Sequence, residues 1–547
     1  MTSSPLSLRR TTAMGGGAGL VFTGGWQEAQ ALARALRAEQ PPGVVEVVPA
    51  ADSVGVLVDD GVTSVGEALE LAAGLAGNAS PATGRHVEVE VCFDGSDLDG
   101  VAEHAGLSVS EVVSQLADTP LSVGWLGFMP GFPYLVGLGE PLASVPRLAR
   151  PRPRLAAGSF ALAGGYAGIY PSATPGGWNV LGRAAIQLFD ATKADPATLA
   201  PSDLVRIRPV DSLAPERPPA RLPITAGGPR RVRVIEAGAR ALVQDRGRLG
   251  VAHLGVPPAG PADALRHRIA NSAVGNPGTS GVLEITLAGP SLQFRCDAFV
   301  ALVGDCPLRI DGRAMPPSSV QFVEQGQIVS IGAVERSLHA YLGISGGIEI
   351  TPVLGSRATD ATSGLWPGPL RAGDELDLGR SGRARGRWFE PPAFDGVLQV
   401  VVGPDGTGSP AAAAALARLL SMPFAVARES DRVGTRLVPL EAEGAPDTEP
   451  SIALPATASR ATVTGAVQLP PDGCPIVLGP DRGTVGGYPV VAVVIGASLP
   501  ACGQLCPGDV VRFEQAASAR ASAGAGGPDF VTGWMPLDLD SGSGRGA

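Results

Sequence analysis

Along most of the chain, apolar and polar residues alternate in short runs separated by Gly and Pro, a period-two texture that predicts strands and tight turns. Only a few stretches keep the helical interval. Residues 27–39 set Ala and Leu at i, i+3 and i+4 spacing and predict an amphipathic helix. Residues 44–48 and 54–58 read as strands, and residues 64–75 as a second helix. With the β-like stretch that ends near Phe22, this order predicts a small α+β subdomain over residues 1–85. From His86 the texture changes: residues 87–93 read as a strand, residues 109–116 as a helix with Ser108 as its cap, and short strands follow.

One element recurs. PSDLVRIR from Pro201, EQGQIVSI from Glu324, RAGDELDL from Arg371 and PGDVVRFE from Pro507 are each a turn followed by an alternating strand. Such a strand can close a small barrel and remove its free edge, so four near-copies predict several small barrels built from duplicated parts. The Pro-rich stretch 211–230 predicts an extended linker. It divides a barrel domain at 86–210 from two further β units at 231–385 and 386–515, with the break between those two at 379–392. The Ala, Ser and Gly tail at 516–547 predicts disorder.

Composition narrows the function classes. Gly (75) and Pro (51) are abundant, yet 44% of residues are hydrophobic, which excludes a disordered chain and fits turn-rich β structure. The net charge of −10 disfavours a nucleic-acid partner. Lys193 is the single lysine, so the chain has no P-loop and no plausible home for attached biotin. The six cysteines form no C-x-x-C motif, and with five histidines no zinc spacing arises, so no metal site is expected and the thiols read as reduced. No apolar run approaches the roughly 18 residues a membrane helix needs. These features together predict a cytoplasmic protein with no membrane partner.

Three stretches carry more Gly, Pro and aromatic punctuation than a barrel requires. The first is GFMPGFPYLVGL from Gly127. The second combines PRPR from Pro151, AGS from Ala157 and GIYPSATPGGWNVLGR from Gly168. The third runs from VQDRGRLG at Val243 through GVPPAGPAD at Gly255 to ANSAVGN at Ala270. The first two resemble the carboxyltransferase C/D-subdomain family, also called allophanate hydrolase subunit 1 or the 5-oxoprolinase B subunit. The third resembles the A/B-subdomain family, allophanate hydrolase subunit 2 or the 5-oxoprolinase C subunit. The second resemblance continues through LEITLAGP from Leu283, YLGISGGI from Tyr341, GAVQLPPDGCPI from Gly465, and DRGTVGGYP from Asp481. Together the two resemblances span nearly the whole chain, from about residue 12 to 515, and the chain looks like a B–C fusion.

The resemblance implies a cyclophilin-like β-barrel in each half of a mainly β chain with α+β subdomains. It implies ATP-dependent opening of 5-oxoproline to glutamate with a separate A subunit, with ATP, with or without Mg, as cofactor. A biotin-dependent carboxyltransferase of the urea carboxylase type and a kinase-regulating binding module are the alternatives, and a homo-oligomer is compatible with the sequence. A lactam is a poor electrophile, so the site must hold phosphate, stabilise an oxyanion and position a base for water. Arg152, Arg183 and Arg248 are the candidate phosphate forks. Asp245 and Asp481 are candidates for the base, with Gln244 and Asn179 as further catalytic candidates. Asp263, Gln468 and Tyr488 are candidate binding groups. Tyr170 and Trp178 offer flat faces for stacking, and Gly176-Gly177 and Gly486-Gly487 bring backbone close to an occupant. His253 and His267 read as structural. Three positions depart from the family's pattern: Leu116 replaces a common His, Arg460 a common Glu and Val485 a common Thr.

Overall fold

In a computed structural model of the chain, the alternating runs close into two seven-stranded barrels in tandem, with an α+β unit before the first and a pair of open sheets between them. The structure describes residues 11–516 apart from 16, 76–83, 149, 151, 214–226, 365–367, 383, 385–387, 389, 390, 392, 393, 441–453, 456 and 497. Most of the expected linker at 211–230 and nearly all of the tail at 516–547 fall outside the described residues.

The N-terminal unit is a four-stranded sheet in the order Thr11–Gly15, Ala18–Phe22, Ser53–Val58, Val44–Pro49. Helices Trp26–Glu39 and Val65–Leu75 turn their buried Ala and Leu stripes onto it. Helix Val109–Asp118 starts at Ser108, as the sequence predicts: Glu111 N–H donates to Ser108 Oγ at 3.3 Å while Ser108 N–H donates to the Glu111 carboxylate at 2.7 Å. Leu116 on this helix is 1% exposed and packs into the first barrel, so it occupies a core position.

The recurrent turn-plus-strand element does two different jobs. In the first barrel, Leu204–Pro209 runs parallel to the opening strand His86–Cys92 and antiparallel to Leu121–Leu126, which closes the sheet. Val510–Gln515 does the same in the second barrel, parallel to Val397–Val402 and antiparallel to Phe424–Val426. The copies at Glu324 and Arg371 instead supply Ile328–Ile331 and Glu375–Leu378 to an open seven-stranded sheet. That sheet shares one apolar core with a five-stranded sheet containing Arg240–Gln244, Val282–Thr286 and His339–Ile344. Alternation signals a strand buried on one face and carries no information on whether the sheet curves to closure.

A further apolar core ties the units together. It joins Met14, Leu20 and Val48 of the first sheet to Trp125, Phe132 and Tyr134 of the first barrel. Ala252, Val490 of the second barrel, and Ala461 and Val485 of a two-stranded sheet beside that barrel also belong to this core. No helix among the described residues is long and apolar enough to cross a membrane.

Candidate functional site

The residues singled out in the sequence fall into two groups, linked by the segment from Asp481 to Tyr488. The first group is a buried ionic network. Strand Arg240–Gln244 delivers Gln244 and Asp245 to a turn, where Asp245 accepts from Gly247 N–H (2.9 Å), Ser356 Oγ–H (2.5 Å) and Arg357 N–H (2.6 Å). Gln244 donates to the Thr359 carbonyl at 3.1 Å. Arg248 is 1% exposed and donates to the carbonyls of Val353 (3.1 Å) and Ala358 (2.5 Å). Asp263 caps helix Ala264–Ala273 through Leu265 and Arg266 N–H and accepts from Gln504 Nε2 at 2.9 Å.

At the centre of this network sits Arg432, which sequence reading did not single out. Its Nε and Nη2 grip Asp481 at 2.9 Å each, Nη1 meets Glu284, and Nη2 also donates to the Gly260 carbonyl at 2.6 Å. Glu284 further accepts from Tyr341 Oη–H and Ala262 N–H, both at 2.8 Å. Burial alone would raise the Glu284 pKa, but Arg432 and the hydrogen bonds hold it down to about 2. Burial likewise opposes the Arg432 charge, and Asp481 and Glu284 more than restore it.

Expected as bases, Asp245 and Asp481 are instead a turn anchor and half of an ion pair, each with its oxygens taken up by fixed donors. Arg248, expected as a phosphate fork, spends its guanidinium on backbone carbonyls in the same interior. The forks in the first barrel are committed too. Arg152 makes a bidentate pair with Asp97 at 2.6 and 2.5 Å, and the exposed Arg183 pairs with Asp94.

One carboxyl in this interior is out of balance. Asp360 is fully buried, and burial together with the nearby Asp481 pushes its pKa up to about 6. The folded state therefore holds the Asp360 proton more tightly than the unfolded chain does. Its favourable contribution is complete below about pH 4 and fades as pH rises through 6. Asp360→Asn should flatten the stability profile between pH 4 and 7 and raise stability at pH 8 by roughly 1–3 kcal/mol, read by urea unfolding. An unchanged pH profile would place the titration elsewhere.

The second group lies where the two barrels and the N-terminal sheet meet. Gly127 faces Val485 so closely that a Cβ at 127 would lie 2.3 Å from a Val485 methyl, and Val485 is 3% exposed. The departure at 485 is thus a packing residue. Beyond it, a Cβ at Gly486 would lie 2.6 Å from Gln468 Nε2, and one at Gly487 would lie 3.3 Å from Arg147 Nη2. Both glycines bring backbone close to a neighbour, and in each case that neighbour is a protein side chain, Gln468 or Arg147. Arg460 reaches Asp405 at 2.9 Å and Asp52 at 3.4 Å and lies over the Phe22 ring, so the charge reversal at this position is met by two carboxylates from different units. Tyr488 and Gly486 line a cavity of about 10 Å³ with Arg460 and Thr457. A second cavity of about 20 Å³ is lined by Glu46, Arg482 and Thr462. Each is the size of a single water.

Tyr170 and Trp178, expected as stacking platforms, are buried in an edge-to-face cluster. Trp178 meets Phe132 at 5.5 Å and Tyr134 at 5.7 Å, and Tyr170 meets Phe132 at 5.2 Å. Both rings are buried, Tyr170 at 2% and Trp178 at 6% exposure, and neither presents an open stacking face. Asn179 donates to the carbonyls of Pro146 (2.8 Å) and Leu162 (3.3 Å), and the Gly177 carbonyl accepts from Leu148 N–H at 2.8 Å. Asn179 and Gly177 therefore clamp the segment carrying Arg147, another residue the sequence did not flag. Glu284 left one trace in the sequence, an acid inside the apolar run at 282–286, opposite Tyr341 in the sheet register. Arg432 and Arg147 left none, because an arginine in a loop looks the same whether it is solvated or buried.

Comparison with known proteins places both halves. The model for the carboxyltransferase domain, subdomains C and D, matches residues 23–199, and that for subdomains A and B matches residues 254–515. The chain is 38% identical to the 5-oxoprolinase B subunit of Escherichia coli O157:H7 over 31% of its own length and 79% of that protein. It is 31% identical to the 5-oxoprolinase C subunit of E. coli K12 over 52% of its length and 91% of that protein. Urea amidolyase of Saccharomyces cerevisiae matches at 31% identity over 52% of this chain, which spans only 16% of that much longer protein. The crystal structure of TTHA0988 superposes with a TM-score of 0.79 at 34% identity, covering 92% of this chain and 100% of that one. The chain belongs to the carboxyltransferase-domain family and carries its C/D and A/B subdomains in one polypeptide, homologous to the B and C subunits of 5-oxoprolinase.

Proposed function

We propose that this chain is the fused B/C component of an ATP-dependent 5-oxoprolinase, which opens 5-oxoproline to glutamate together with a separate A subunit. The observation that carries the reading is that one chain matches most of the length of both named E. coli subunits. The shared apolar core fits it, since Trp125 of one half and Val485 of the other are buried in the same cluster.

The three arginines expected to hold phosphate are committed elsewhere. The expected forks Arg152, Arg183 and Arg248 are engaged by Asp97, Asp94 and backbone carbonyls. No group of three His, Cys, Asp or Glu among the described residues could hold a metal ion. We therefore assign nucleotide binding to the A subunit. The part left to this chain is to receive the lactam and orient it at the junction of the barrels.

The test mixes the purified chain with A-type proteins, ATP and 5-oxoproline. Release of glutamate and ADP, each dependent on both proteins, is the expected result. Silence across several A partners, combined with carboxylation of urea from free carboxybiotin, would replace this reading with the carboxyltransferase one that the yeast match favours.

A further inference from the structure

Arg147 stands apart from the paired arginines of both barrels. It is exposed, and no carboxylate among the described residues pairs with it. Yet its backbone is held. The residues on either side are held by the 177–179 turn, through Asn179 Nδ2–H to the Pro146 carbonyl and Leu148 N–H to the Gly177 carbonyl, both at 2.8 Å. The guanidinium crosses from the first half to the second, where glycine at 487 leaves room for it. The position a Cβ would take there is 3.3 Å from Arg147 Nη2, 3.5 Å from the Thr457 carbonyl and 3.7 Å from Ser459 Oγ.

Around it stand neutral hydroxyls. Tyr134, Tyr166 and Tyr170 lie within electrostatic reach of Arg147, and Tyr134 hydrogen-bonds Ser459. Burial, the largest influence, raises all three phenols above their ordinary range, Tyr134 to about 12, so they stay protonated beside the cation. The carboxylate near Tyr166, Asp52, is engaged by Arg460. A cation on a held backbone, with neutral O–H groups nearby and no paired carboxylate among the described residues, is an arrangement suited to a small oxyanion. An arginine meant for structure is usually neutralised, as Arg152, Arg432 and Arg460 are here.

We propose that Arg147, held by Asn179 and Gly177 and facing Gly487 and Ser459 of the other half, binds the carboxylate of a small amide or lactam substrate. The assignment rests on the lactam reading for the identity of that substrate. It goes further in giving Asn179 a positioning role and in making the site depend on both halves. A single planar charge matches one fork; a triphosphate would need several, and the other candidate forks are engaged.

The experiment titrates the full-length chain with 5-oxoproline, with 2-pyrrolidinone (the same ring without the carboxylate), with N-acetylglycine and with inorganic phosphate, by calorimetry. Wild type should hold 5-oxoproline and N-acetylglycine more tightly than 2-pyrrolidinone. Arg147→Met should weaken both carboxylates by about 10-fold or more and leave 2-pyrrolidinone unchanged. Arg150→Met, an exposed neighbour, controls for loss of loop charge and should change neither. Gly487→Ala should weaken the carboxylates by crowding Arg147 from the other half. Equal affinities in wild type and Arg147→Met would overturn the proposal, as would carboxylates that bind no better than 2-pyrrolidinone. So would a loss confined to phosphate. Arg147-dependent binding of N-acetylglycine without any 5-oxoproline turnover would sink the lactamase reading and leave the carboxylate site standing.

Discussion

Replacing Arg432 with methionine is expected to lower the unfolding free energy by about 3–5 kcal/mol, the usual cost of leaving buried charge without its partner. The arginine is 6% exposed and neutralises Glu284 and Asp481, both inaccessible. Methionine fills similar space but offers nothing to either carboxylate, so burial would drive the Glu284 pKa up from about 2. Acid sensitivity should follow with a definite sign. In wild type the depressed pKa contributes stability above about pH 4.5 that is lost only as pH falls towards 2. In the variant that contribution is gone, and stability should improve on acidification from pH 7 to 5 as the orphaned carboxyls take up protons. Urea unfolding across that range reads both effects. Adding Glu284→Gln and Asp481→Asn to the variant should recover much of the loss, because a neutral set leaves no unpaired charge. A loss below about 1 kcal/mol for Arg432→Met would mean that water reaches the network.

That network shows where sequence reading stops. Strand texture exposed the barrels, and the Pro201 and Pro507 elements revealed their closing strands, because alternation is a local signal. The same texture at Glu324 and Arg371 gave the wrong expectation of closure, since curvature depends on which strands pair across long separations. The site was legible to the same degree. The chemistry of motif residues such as Asp245 and Asp481 follows from partners 49 to 112 positions away, Arg432 for Asp481 and Arg357 for Asp245. Asp481 looks like a base until Arg432 is beside it. Conversely, Arg147 gains interest only when the structure shows no partner carboxylate among the described residues. A long-range pairing decides whether a charged side chain is structural or available, and a single sequence does not display pairings.

The junction between halves gives the second large effect. Gly255→Val is expected to destabilise the chain by about 4 kcal/mol or more, the range reached when strain and a core clash combine. Gly255 has φ +79°, in the left-handed region, which costs a β-branched residue about 1–2 kcal/mol. Steric contact costs more. A Cβ there would lie 2.2 Å from the Met129 carbonyl oxygen and 3.2 Å from that of Gly127, both backbone atoms of the first barrel's Gly-Phe-Met-Pro-Gly loop. Neither can swing aside, because Gly131 N–H donates to the Leu254 carbonyl at 2.8 Å and pins the two loops together. Gly250 is the control: its φ is +83° and a Cβ there meets nothing within 4 Å, so Gly250→Val should show the strain alone. The two variants separate conformational cost from lost docking. If docking is what fails, Gly255→Val should also expose Trp125, which is fully buried in the core shared by the halves, and shift its fluorescence to the red while Gly250→Val leaves it in place. Equal destabilisation by the two valines would show that the loops can part without cost, and Arg147 would then not be held against Gly487 by the rigid junction its binding role requires.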